Sequence, residues 1–80
     1  MRTMRAKVKC QSVTLTEHGE DLEFVPVPKP SAYPEDGLDE DNTYAKFSPS
    51  GSFKISVRNP ELFGKFKPGD KFYVDFTESA

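Results

Sequence analysis

Eighty residues with a formal net charge of −2 and a single cysteine allow one domain, residues 1–80, and exclude an internal disulfide. No stretch approaches the roughly 20 apolar residues of a membrane-spanning helix, and one histidine beside one cysteine falls short of the four ligands of a structural zinc site. Charge is unevenly spread: Arg2, Arg5, Lys7 and Lys9 make the start basic, whereas residues 28–43 set Lys29 against Glu35, Asp36, Asp39, Glu40 and Asp41. The chain lacks the overall basicity of a non-specific nucleic-acid binder, so nucleic acid is not an expected partner.

The first residues carry charge without a following apolar run, so they do not read as a secretory signal. A lone thiol fits a reducing, cytoplasmic setting. A domain this small buries only about 60% of its unfolded surface. With disulfide and metal removed as aids, self-association remains, and a homo-oligomer is expected.

Residues 5–16 alternate as a strand, but with a change of parity. Ala6, Val8 and Cys10 share one face, Val13 and Leu15 the other, and an extra residue at Gln11–Ser12 restores a single buried face, as a β-bulge does. Glu17 to Asp21 reads as a turn and Leu22 to Val27 as the hairpin partner, ended by Pro26, Pro28 and Pro30, which lack ladder donors. Residues 28–43 form a long acidic loop, a length that is usually functional or disordered. Thr43 to Phe47 reads as a third strand and residues 48–52 as a turn. Phe53, Ile55 and Val57 then alternate with Lys54, Ser56 and Arg58. Asn59-Pro60-Glu61 has the composition of a helix start, and Gly64 limits it to one turn. Pro68-Gly69 is placed for a type II turn, and Phe72, Val74 and Phe76 alternate as a last strand. Phe53, Ile55, Val57, Phe72, Val74 and Phe76 are expected inward, with Val8, Val13, Leu15 and Phe24 facing them. The fold expected is all-β, a five-stranded barrel or sandwich of the SH3-like or OB-like sort, with one short helical turn.

No catalytic set emerges, and no cofactor or metal is expected. His18, the only base suited to activating a nucleophile, sits in a turn. Cys10, on the inward parity, behaves as a small hydrophobe. The acidic run lacks the glycine that a calcium loop needs at its sixth position. It remains either a solvated loop or a surface for a partner. Tyr33, Glu35, Asp36, Leu38, Asp39, Asp41 and Tyr44 combine apolar anchors with a charged rim, the composition of a protein interface. An alternative is a nucleotide site between subunits, in which Ser48, Ser50, Gly51 and Ser52 cradle a phosphate with Lys46, Lys54 and Arg58. The spacing of a P-loop is absent. Tyr73 with Lys54 and Arg58 makes a thin stacking face for single-stranded nucleic acid, against which Asp75 argues.

Tyr33-Pro34-Glu35-Asp36-Gly37, the run Asp41 to Ser50, Asn59-Pro60 and the ending Gly64 to Thr77, together with Met4 to Lys9, resemble a group of short, mostly uncharacterised proteins of tailed bacteriophages and prophages. The resemblance covers most of the chain and brings no catalytic residues. It implies viral origin and action in the host bacterial cytoplasm or in the virion. Three non-enzymatic tasks follow for a small β-protein: head-associated structure, blocking a host protein, or sequestering a cyclic nucleotide immune signal. Contact with itself and with another phage or host protein ranks first, nucleotide capture second.

Overall fold

A computed structural model describes residues 3–80; Arg2, part of the basic start, lies outside the described residues. The described chain is β-rich, a curled four-stranded antiparallel half-barrel with one 3₁₀ turn. Its strands are β1 (Thr3–Thr16), β2 (Gly19–Pro26), β3 (Phe53–Val57) and β4 (Lys71–Thr77), in the order β3-β2-β1-β4. The 3₁₀ turn, Pro60–Leu62, begins where sequence places it: the Asn59 side chain accepts from the Glu61 N–H, with proline next in line.

The long β1 pairs β4 along its first half and β2 along its second. Its register shifts between Cys10 and Ser12, the expected bulge at Gln11. The bulge returns Val13 to the row of Val8 and Cys10. It also leaves the Cys10 backbone free to pair with the incoming turn: Cys10 N–H donates to Asp70 O at 2.8 Å and Gly69 N–H to Cys10 O at 2.9 Å. That turn closes with Gly69 at φ 97° and the Asp70 N–H on Lys67 O, as Pro-Gly chemistry requires. The β1–β2 hairpin is tighter than the sequence implies. Glu17 and His18 alone form the turn, and Thr16 Oγ1 accepts from both the His18 and Gly19 N–H groups. Gly19 is required: at φ 153° a Cβ would run into the Val57 carbonyl.

Cross-strand pairing puts one apolar row on one face of the sheet. Met4, Ala6 and Val8 oppose Phe76, Val74 and Phe72; Cys10 and Val13 oppose Phe24 and Leu22; these in turn oppose Phe53 and Ile55. The core lies on this face. Val8, Cys10, Leu22 and Phe24 are buried, and Phe24 packs edge-on against Phe66 and Phe72 at ring distances of 6.4 and 5.9 Å. The segment between β3 and β4 crosses one end of this face, bringing Phe66 over the core. Buried Glu20 at that end accepts a hydrogen bond from the Gly64 N–H.

Two expectations need correction. Thr43 to Phe47 is no strand but a series of turns. Phe47 adopts a left-handed φ of 63°, and its N–H closes onto Gly37 O at 2.7 Å, which ends any extended run. The inward residues also do not form two facing layers. They share one sheet face, which the chain covers only in part: Ile55 (46% exposed), Phe76 (49%) and Leu15 (77%) stay open. Register itself is as expected, with Lys54, Ser56 and Arg58 exposed.

Candidate functional site

Residues 28–52 wrap the end of the sheet where the prolines stop β2. With β2 gone, β1 needs new partners for its backbone, because unpaired buried peptide groups are costly. The loop supplies them. Thr43 exchanges hydrogen bonds with Arg5, donating its N–H to Arg5 O at 3.0 Å and accepting the Arg5 N–H on Oγ1 at 2.8 Å. Asn42, fully buried, bridges β1 and the residue just past β2: its Oδ1 accepts the Lys7 N–H at 2.9 Å and its Nδ2 donates to Val27 O at 2.9 Å. One carboxamide thus stands in for a missing peptide of β2.

Asp39 holds that carboxamide. It is buried, takes the Asp41 N–H on Oδ1 at 2.9 Å and receives Asn42 Nδ2 on Oδ2 at 3.3 Å. Burial by itself pushes its carboxyl up, but the hydrogen bonds from Asp41 and Asn42, with Lys29 nearby, bring it below the usual carboxylate range. Asp41 leaves the rim as well. It accepts from the Tyr73 hydroxyl at 2.9 Å and meets Lys7 Nζ at 3.7 Å. That hydrogen bond raises the Tyr73 phenol. Beside it, Arg5 lies 4.5 Å from the Tyr73 ring centre and is paired to Asp75 through Nε at 2.7 Å. On the face opposite the core, Lys7 of the basic start thus meets the acidic loop, whereas Arg5 is paired with Asp75 of β4.

Of the expected contact residues, Glu35, Asp36, Leu38 and Tyr44 are exposed. Tyr33 packs against Phe47, ring centres 6.1 Å apart, and its hydroxyl accepts from the Lys29 N–H. Gly37 is buried under the Phe47 ring, 2.6 Å from where a Cβ would stand. The loop is thus a built structure with an exposed tip around Glu35 to Leu38. Tyr44 belongs to the other side, lining the open end of the apolar face with Met4, Phe53 and Phe76.

The alternative phosphate set is not drawn together on one surface. Ser50, Gly51 and Ser52 border that apolar end. Lys54 points to the opposite face, paired with Glu23 at 3.5 Å, and Arg58 meets Asp21 at 3.9 Å and Thr16 Oγ1 at 3.3 Å. Lys46 and Ser48 are exposed on the loop. Tyr73 and Lys54 stand on strands at opposite edges of the sheet. His18 is exposed beside Glu17. Cys10 is buried, and burial, aided by Asp70, raises its thiol, which keeps it uncharged and a poor nucleophile. Among the described residues no three His, Cys, Asp or Glu side chains gather as metal ligands, and no helix is long and apolar enough to cross a membrane.

The remaining surface is the apolar face itself. Its uncovered end is a groove of about 220 Å³ lined by Met4, Ala6, Val8, Phe24, Phe53 and Phe76, and a second groove of about 300 Å³ runs under Leu62 and Phe66. Sequence reasoning found the residues of this row but read them as closed over. It missed Asn42 and Glu20. Glu20 had a visible signal, an acid on the inward parity of Leu22 and Phe24. Asn42 had only the Asx-rich run before it, in which side chains readily cap local backbone. Comparison with known protein families, curated proteins and solved structures finds no similar protein.

Proposed function

We propose that this chain is a non-enzymatic bacteriophage protein that works by protein contact, as a virion-associated or host-modulating β-domain. The observation that supports this reading is the uncovered apolar face of the half-barrel. Met4, Ile55 and Phe76 on this sheet face are each more than a third exposed on a chain of 80 residues, and contiguous apolar surface of this kind marks interaction sites. The exposed loop tip, Glu35, Asp36 and Leu38, offers a second contact of different chemistry, suited to a basic partner. The SH3-like or OB-like closure expected from sequence belongs to the assembly on this reading, since the chain alone supplies half a barrel.

The test has two parts. The protein is sought by mass spectrometry in purified virions and in the lysate of infected bacteria, and its cross-linked complexes are compared between wild type, Leu38→Asp and Ile55→Asp. Complexes that disappear in either variant support contact. A panel of cyclic nucleotides is run in parallel by thermal shift. A ligand that binds the native state raises its melting temperature, so a nucleotide-dependent rise would replace this reading with capture of a nucleotide signal.

A further inference from the structure

We infer that the occupant of the apolar face is a second copy of this chain, so that two half-barrels close on one another about a twofold axis and share one core. The inference rests on the protein-contact reading and names its partner. A domain needs two packed layers to bury a sheet face, and this chain provides one sheet and a crossover segment that covers one end. The accessible surface is 5888 Å² for a 9.0 kDa chain, whereas a compact monomer of that mass exposes about 4,900 Å². The excess, roughly 1,000 Å² over the whole chain with its loop and tail included, is large enough to contain the about 800 Å² that each partner contributes to a stable interface.

The chemistry of the face favours self-pairing. An isologous contact sets each residue against the same patch, so any charge on it meets its own kind. The described residues of this row carry one charged side chain, Glu20, and it is buried at the covered end against the Gly64 N–H. The charged residues Lys54, Asp75, Arg5 and Lys7 lie on the reverse face, clear of the contact. Among the described residues only four hydrophobic side chains are buried in the single chain. A core this incomplete needs its cover as soon as the chain is made, and a second copy is the partner always present then.

Sedimentation velocity of the full chain, from micromolar to submillimolar, tests this. Wild type is expected to run as a dimer, with a melting temperature that rises with concentration. Ile55→Asp and Phe76→Asp, at half-exposed positions, are expected to weaken dimerisation on the order of a hundredfold while the far-ultraviolet spectrum stays β-type. Lys54→Asp, on the reverse face, is expected to leave the dimer intact. Should the aspartate variants unfold, peroxide oxidation of Met4 in wild type supplies the same readout. It slows with rising concentration if a second copy covers the face, and a rate that does not change with concentration counts against it. A wild-type monomer throughout overturns the inference, and so does a dimer indifferent to both aspartates. If that monomer still forms complexes in infected cells that Ile55→Asp abolishes, the contact reading stands and only the second copy falls. If a dimer forms but nucleotides stabilise it, the contact reading falls and the dimer stands.

Discussion

Asn42 does more for this fold than its polar side chain suggests. Its carboxamide satisfies a donor on β1 and an acceptor just beyond β2 while itself fully buried. Asn42→Ala strands both groups, and each buried unsatisfied group costs about 1–3 kcal/mol, so a loss of roughly 3 kcal/mol is expected in urea unfolding. Asp39 adds a pH dependence of known sign. Its native carboxyl titrates below the ordinary range, so the stability it supplies is complete above the unfolded value of about 4 and is lost as pH falls through the lowered native value. Unfolding midpoints measured from neutral pH down into this acid range should fall more for wild type than for Asp39→Asn. At the centre of the core, Phe24→Ala removes a ring that touches Phe53, Phe66 and Phe72. A cost of about 3–5 kcal/mol is expected, a large part of the stability of so small a domain.

Among the elements, the loop is the one whose role divides. Its tip is exposed, but its base is part of the sheet. Replacing residues 34–41 by a Gly/Ser linker removes Asp39 and Asp41 yet keeps Asn42 and Thr43, so the sheet should remain folded with a lowered midpoint and, on the contact reading, without its partner. Extending the replacement through Thr43 also strips the partners of Arg5 and Lys7 on β1 and should lower the midpoint clearly further. Equal midpoints for the two replacements would show that the base contributes nothing. The strands were legible in the chain because a half-buried strand writes its environment as alternation. Phe53 to Val57 and Phe72 to Phe76 do so without a break, and the parity change at Gln11 identifies the bulge. The loop was legible only as composition. Its order comes from side chains such as Asn42 bonding a strand far away in sequence, and no local pattern records such a partner.

For the whole molecule, the ion pairs and the apolar face predict different responses to salt. The pairs Arg5–Asp75, Lys7–Asp41 and Lys29–Glu40 are partly or largely exposed and each contributes at most about 1 kcal/mol. Sodium chloride should therefore move the unfolding midpoint little. Sulfate strengthens apolar burial, so ammonium sulfate should shift the association seen by sedimentation toward the larger species. An association that sodium chloride dissolves and sulfate leaves unchanged would point to the charged reverse face instead.

The sequence by itself determined the β class, the bulge, the Asn59-Pro60 turn, the Pro68-Gly69 turn and the set of apolar residues that share a face. These follow from local rules: side-chain alternation, the donor that proline lacks and the φ that glycine permits. Tertiary structure alone decided that the apolar rows lie on one open sheet instead of two facing layers, that residues 43–47 turn instead of extending, and that Asp41 and Asn42, the latter held by Asp39, bind the sheet from within a loop that reads as free charge. Alternation says which residues turn from water together. It does not say what covers them, because that depends on strand order and on where the connecting segments cross, which arise only from contacts between parts of the chain distant in sequence.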